Sequence, residues 1–164
     1  MTGGNCRLAF AFGHRGDTFH GSQVQPELRT VQGSFQEALG ELGFIKTGNT
    51  SGQPCILSSR TDAGVHVRVN GGTVRIASDL WKSITPRKFI RAVDDLLPHD
   101  IAFLDVREVE FDWNPRIALH RIYRYRLEGI EFWKDPGEVL SEWLSLFEGT
   151  YNATNFARLE PGKN

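Results

Sequence analysis

The chain has 164 residues, 40% of them hydrophobic, and a formal net charge of −1 at pH 7. That is enough apolar material for a domain core without covalent staples, and the charge excludes a surface basic all over, so any grip on nucleic acid must be local. No run of about 18 apolar residues is present to span a bilayer, and the start MTGGNCRLAFAFGHRGD lacks the basic head, long apolar centre and small-residue cleavage site of a secretory signal. The chain therefore reads as cytoplasmic, with no membrane partner. Cys6 and Cys55 stand far apart in no CxxC pattern and read as two buried reduced thiols.

In chain order, RLAFAF (7–12) predicts a first strand, and the Gly-, Asp- and His-rich GHRGDTFHGSQVQPELR that follows is long for a plain connection, so it is either a functional loop or hides an element that the pattern does not show. Val31, Phe35, Ala38, Leu39 and Leu42 recur at helical spacing, with Thr30 as N-cap and Gly43 as stop. PCILSS is a buried strand candidate, GGTVRIAS a further strand, and Thr85–Pro86 opens a helix striped by Phe89, Ile90, Val93, Leu96 and Leu97 before Pro98. DIAFLDVREVE predicts a fourth strand. The order strand, helix, strand, strand, helix, strand is the split βαβ pattern of a ferredoxin-like half-domain, an α+β fold with an antiparallel sheet.

Past that half, LHRIYRYRLEG alternates with period two, which predicts a strand with Leu119, Arg121, Tyr123, Tyr125 and Leu127 on one face and His120, Ile122, Arg124 and Arg126 on the other. DPGEVLSEWLSLFEG predicts a third helix with Val139, Leu140, Trp143, Leu144 and Phe147 in register. The domain division expected is 1–112 for the first half and 113–164 for the start of a second, similar half.

Chemistry-bearing residues gather in SSRTDAGVHV, 58–67, at the end of the PCILSS strand, where a sheet holds polar groups rigidly for a ligand. Asp62 is a candidate nucleophile or general base, and Arg60 a cation favouring its ionised form. On spacing alone the simpler reading is an Asx-turn capped by Asp62, with Arg60 in a surface ion pair. A metal on Asp62 and His66, with His14 and His20, lacks any HxH, HExxH or Cys/His spacing, so the histidines read as hydrogen-bonding within loops. In RIYRYR, tyrosines between arginines suit unstacked bases and phosphates. They equally suit an ordinary strand with core-facing rings and a solvated basic face.

Together these residues resemble a family. SSRTDAGVHV is similar to the GRTDAGVHA signature of tRNA pseudouridine synthases of the TruA type, GDTFHGSQVQPELRTVQG resembles that family's Phe-x-Gly-x-Gln block leading to Thr-Val-Gln, and WNPRIALHRIYRYR resembles its stretch leading to Tyr-x-Tyr, all in the same order. The departures are a missing tyrosine near GHRGD, Ser22 where Trp is common and Ser59 where Gly is usual. The resemblance implies the pseudouridine synthase fold and isomerisation of uridine to pseudouridine in the tRNA anticodon stem-loop, at positions 38 to 40, with no metal or organic cofactor and a homodimeric assembly.

By that match Asp62 is the catalytic aspartate, attacking the sugar or the uracil ring or assisting a glycal route. Arg60 enters the RNA stack and holds the target nucleotide flipped out. Tyr123 stacks near the uracil, and Thr61, His66 and Arg121 complete the substrate-binding set. Family members are longer, with two joined halves; NFARLEPGKN resembles a region cut off soon after it begins, which implies a truncated second half lacking the arginine that pairs with the aspartate. Such an unfinished sheet predicts association or poor solubility. Two rivals are a non-catalytic RNA-binding module and a ferredoxin-like oligomerisation domain unconnected with RNA.

Overall fold

The computed structural model describes residues 4–46, 54–129, 135–150 and 152, and the chain forms two compact units, Met1–Arg121 and Ile122–Asn164. In the first unit, alternation along Cys6, Leu8, Phe10 and Phe12 buries one face of strand β1 (Asn5–His14). Helix α1 (Val31–Glu41) follows, then β2 (Cys55–Leu57), β3 (Val67–Ala77), a short α2 (Ser78–Ser83), α3 (Pro86–Asp94) and β4 (Ile101–Val109). The four strands form one antiparallel sheet in the order β2-β3-β1-β4, so the expected ferredoxin-like α+β half-domain is borne out.

Both long helices start on side-chain caps. Thr30 accepts from Gly33 N at 3.2 Å, and Thr85 accepts from Lys88 N with Pro86 at the first helical position. Their buried faces, Val31, Phe35, Ala38 and Leu39 on α1 and Phe89 and Val93 on α3, cover the same side of the sheet. The core is aromatic at its centre: Phe35 meets Phe10 and Phe12 at 5.0 and 4.9 Å between centroids, and Phe103 stacks on Phe10 at 5.4 Å. α2 has no counterpart in the sequence reading. Six residues are too few to display a helical period, yet its Trp81 lies edge-on to Phe89.

The opposite sheet face pairs Arg7, Ala9 and Ala11 of β1 with Arg75, Thr73 and Gly71 of β3. The chain leaving β4 is tied to it: Arg7 Nη1 donates to Trp113 O at 2.5 Å, and the Phe111 ring receives the guanidinium groups of both Arg7 and Arg75. β3 begins earlier than the sequence suggested, directly after the RTDAGVH string, because its first residues pair with the end of β1.

The strand expected over 119–129 is corrected. No strand occurs there among the described residues, and Leu119, Ile122, Tyr123, Tyr125 and Leu127 are all exposed. Alternation divides a segment into two faces, but a strand also needs a neighbouring backbone to bond with, and no ladder engages this segment. In the second unit the expected third helix is α4 (Pro136–Ser145), its Trp143 and Leu144 exposed. The NFARLEPGKN stretch lies outside the described residues.

Candidate active site

β2 ends at Leu57 and β3 starts at Val67, so 58–66 link two neighbouring strands at one end of the sheet. The loop's first residues lie back on the part of β3 that outruns β2: Ser58 N donates to Gly71 O at 2.8 Å, and Asn70 Nδ2 to Ser59 O at 3.2 Å. At its tip Val65 N donates to Asp62 O at 3.4 Å, with Gly64 at φ 80° supplying the left-handed backbone that such a turn requires at its third position. The Asx-turn is therefore replaced by a turn closed through the backbone. Asp62 and Arg60 are both exposed, no ion pair joins them, and no hydrogen bond or ion pair engages the Asp62 carboxylate among the described residues.

What surrounds this open carboxylate is rigid. Residues 14–22 hold the turn on both flanks. On one side Ser22 N donates to Thr61 O at 2.9 Å, while Thr61 N donates to Ser22 Oγ at 2.8 Å. On the other, buried His14 lies beside the backbone of Val65, and Gly16 N donates to His66 Nδ1 at 3.4 Å. Gly16 is required there, since a Cβ would collide with the Val65 carbonyl. The same bond leaves the His66 proton to Nε2, which faces Asp17 Oδ1 at 3.7 Å.

The 14–22 segment is anchored in turn. Arg29 forms a two-pronged pair with Asp100, at 3.1 and 2.8 Å. Thr18 donates to the same carboxylate at 2.5 Å and also accepts from Arg29, whose guanidinium lies 4.3 Å over the buried Phe19 ring. Burial acts to raise the Asp100 pKa, but the hydrogen bonds from Arg29 and Thr18 and the Arg29 charge outweigh it, and the carboxyl lies below its ordinary value. For His14, burial dominates and pushes the imidazole below its ordinary value, opposed by the Val65 backbone and Asp100 and assisted by His66.

Of the residues singled out in the sequence, Arg60, Thr61, Asp62 and His66 lie on this one loop, and Arg121 reaches it, its Nη2 donating to Ser58 O at 3.4 Å. The Thr61 hydroxyl is buried with no hydrogen-bond partner among the described residues. Tyr123 belongs to the second unit and is 61% exposed. No group of three or more His, Cys, Asp or Glu suited to a metal ion occurs among the described residues, so His14, His20 and His66 form no such cluster with Asp62. Sequence reasoning missed Ser22, Gly16 and His14 as supports, although the long loop it singled out after the first strand contains all three.

No protein-family model matches the chain. Curated proteins do. It is 35% identical over 154 residues to tRNA pseudouridine synthase A of Methanobrevibacter smithii, covering 93% of this chain and 48% of that one. With the protein of the same name from Thermococcus onnurineus it shares 36% over 159 residues, covering 96% and 55%, and with that from Aquifex aeolicus 30% over 173 residues, covering 96% and 66%. The chain belongs to the tRNA pseudouridine synthase A family. The resemblance drawn from the three sequence blocks is thereby borne out, and the chain spans about half the length of the first of the curated relatives it matches. Within the tRNA pseudouridine synthase A family, then, this chain presents its RTDAGVH string as a pinned turn with a solvent-facing carboxylate. No helix among the described residues is long and apolar enough to cross a membrane.

Proposed function

We propose that this chain carries the aspartate side of a site that isomerises uridine to pseudouridine in the anticodon stem-loop of tRNA, at positions 38 to 40. The observation that supports it best is the Asp62 carboxylate, exposed and unengaged on a turn braced at both flanks, in a member of this family. A carboxylate held so can act as nucleophile at a sugar carbon or as a base without first giving up a partner. Arg60, equally exposed beside it, has the reach and charge to fill the gap left by a flipped nucleotide. Tyr123 supplies a stacking ring, and Thr61, His66 and Arg121 make the remaining substrate contacts.

Residues 1–112 form the half that bears the aspartate, residues 113–164 begin a second half, and the chain works in the cytoplasm as a homodimer. Mapping pseudouridine in tRNA exposed to the protein and to Asp62→Ala tests this. The wild-type chain forms the product and Asp62→Ala forms none. Salt-dependent tRNA binding by both proteins with no product from either would replace the isomerase by a binding module.

A further inference from the structure

Ser22 is 1% exposed, and its backbone belongs to two structures at once. Its carbonyl accepts from Gln32 N at 2.9 Å, and the Gly21 carbonyl from Val31 N at 3.3 Å, so the pair is bound to the first turn of α1. Its own N–H and Oγ are spent on Thr61: the N–H donates to the carbonyl at 2.9 Å, and Oγ accepts from the amide at 2.8 Å and donates to the carbonyl at 3.4 Å. Gly21 makes the approach possible: at φ 92° it has no Cβ, and one added there would stand 2.9 Å from the Thr61 oxygen.

The peptide group that contains the Thr61 carbonyl also contains the Asp62 nitrogen and Cα, and its six atoms are coplanar. Fixing the Thr61 oxygen on one side and the Thr61 amide on the other therefore fixes where the Asp62 Cα stands. The link from the capped end of α1 through Ser22 to Asp62 has no freely rotating side chain longer than one hydroxymethyl group. Among the described residues, no group outside the loop other than Ser22 bonds to Thr61.

We propose that Ser22 is a positioning residue for Asp62, acting through both backbone groups of Thr61; this rests on the isomerase reading for its catalytic consequence and on geometry alone for the hold on the turn. Loss of the hydroxyl leaves the Thr61 N–H unpaired and removes the second bond to the Thr61 carbonyl, so that the plane hangs on Ser22 N alone and can tilt about it, and a displacement of about 1 Å at a reacting group costs on the order of a hundredfold in rate.

The test compares the full chain with Ser22→Ala, with Ser22→Thr, which keeps the oxygen, and with Gly21→Ala, which presses on the Thr61 carbonyl. Two quantities are measured: backbone amide exchange, and single-turnover pseudouridine formation at saturating tRNA beside tRNA affinity. In Ser22→Ala the Thr61 amide exchanges about tenfold faster while amides of β1 and α1 keep their protection, and the rate falls about ten- to a hundredfold with tRNA affinity unchanged. Gly21→Ala follows it, and Ser22→Thr restores the Thr61 protection. Unchanged exchange at Thr61, exchange raised throughout the sheet, or exchange raised at Thr61 with an undiminished rate each overturns the proposal. If the wild-type chain forms no pseudouridine, the isomerase reading fails, and the exchange comparison still decides whether Ser22 holds the turn.

Discussion

Three side chains around the turn divide the work so that reactivity and stability can be separated by mutation. The Asp62 carboxylate bonds nothing among the described residues and is exposed, so Asp62→Ala changes stability by no more than about 0.5 kcal/mol, which urea unfolding reads directly. Asp100 is the contrary case. Its carboxylate takes Arg29 and Thr18, and Asp100→Asn removes charge-assisted bonds worth about 1.5–3 kcal/mol. Because the folded pKa of Asp100 is lowered, its contribution is present above the unfolded carboxylate value of about 3.9 and disappears as pH falls through the lower folded value. His14 is lowered as well, by burial, and for a base the consequence falls at higher pH. The unfolded chain takes up a proton near pH 6.5 while the native chain does so only at lower pH, so stability is fully present above about 6.5 and declines as pH falls below it. Urea midpoints measured between pH 5 and 8 show that decline in the wild-type chain, and His14→Gln flattens it; an equal slope in both would remove His14 as its source.

At the scale of elements, α1 is a brace as well as core. Thr30→Ala removes the oxygen that accepts from Gly33 N and costs about 1 kcal/mol of stability. The turn it loosens is also the one that carries Val31 N and Gln32 N, which hold Gly21 and Ser22, so amide exchange quickens at those residues along with the start of α1, while α3 amides are untouched. Helical spacing made α1 and α3 legible and apolar runs the four strands, since each contributes buried side chains to one core. Periodicity failed where burial was absent or length too short: 119–129 alternates but pairs with no strand among the described residues, and α2 has six residues. The site divides in the same way. RTDAGVH could be recognised as a string, whereas the contact of Ser22 with Thr61 joins residues 39 apart in sequence, and only the folded sheet brings them together. Ser22 stood out beforehand as a departure from the family's usual Trp, with nothing in the sequence to show that its hydroxyl had work to do.

Over the whole molecule the net charge of −1 conceals an uneven distribution, with Arg116, His120, Arg121, Arg124 and Arg126 close in sequence and Glu128, Glu131, Asp135, Glu138, Glu142 and Glu148 after them. At about 0.1 M salt, charges more than about 10 Å apart are largely screened, so an RNA phosphate responds to its immediate neighbours and hardly to the total. Binding of tRNA should therefore weaken with salt in spite of the acidic balance, and each arginine that meets a phosphate contributes about one to the slope of log affinity against log salt. Not every arginine counts equally. Arg126 Nε lies 3.4 Å from Glu128 Oε1, so bringing a phosphate to it means displacing or repelling a carboxylate, whereas no ion pair engages Arg124 among the described residues. Arg124→Gln accordingly lowers the slope by about one, Arg126→Gln by clearly less, and Glu128→Gln strengthens binding at low salt. Titrations of fluorescent tRNA from about 0.05 to 0.2 M salt separate these cases. Equal slopes for the wild-type chain and Arg124→Gln would mean that the 116–126 segment does not meet the RNA backbone at that residue.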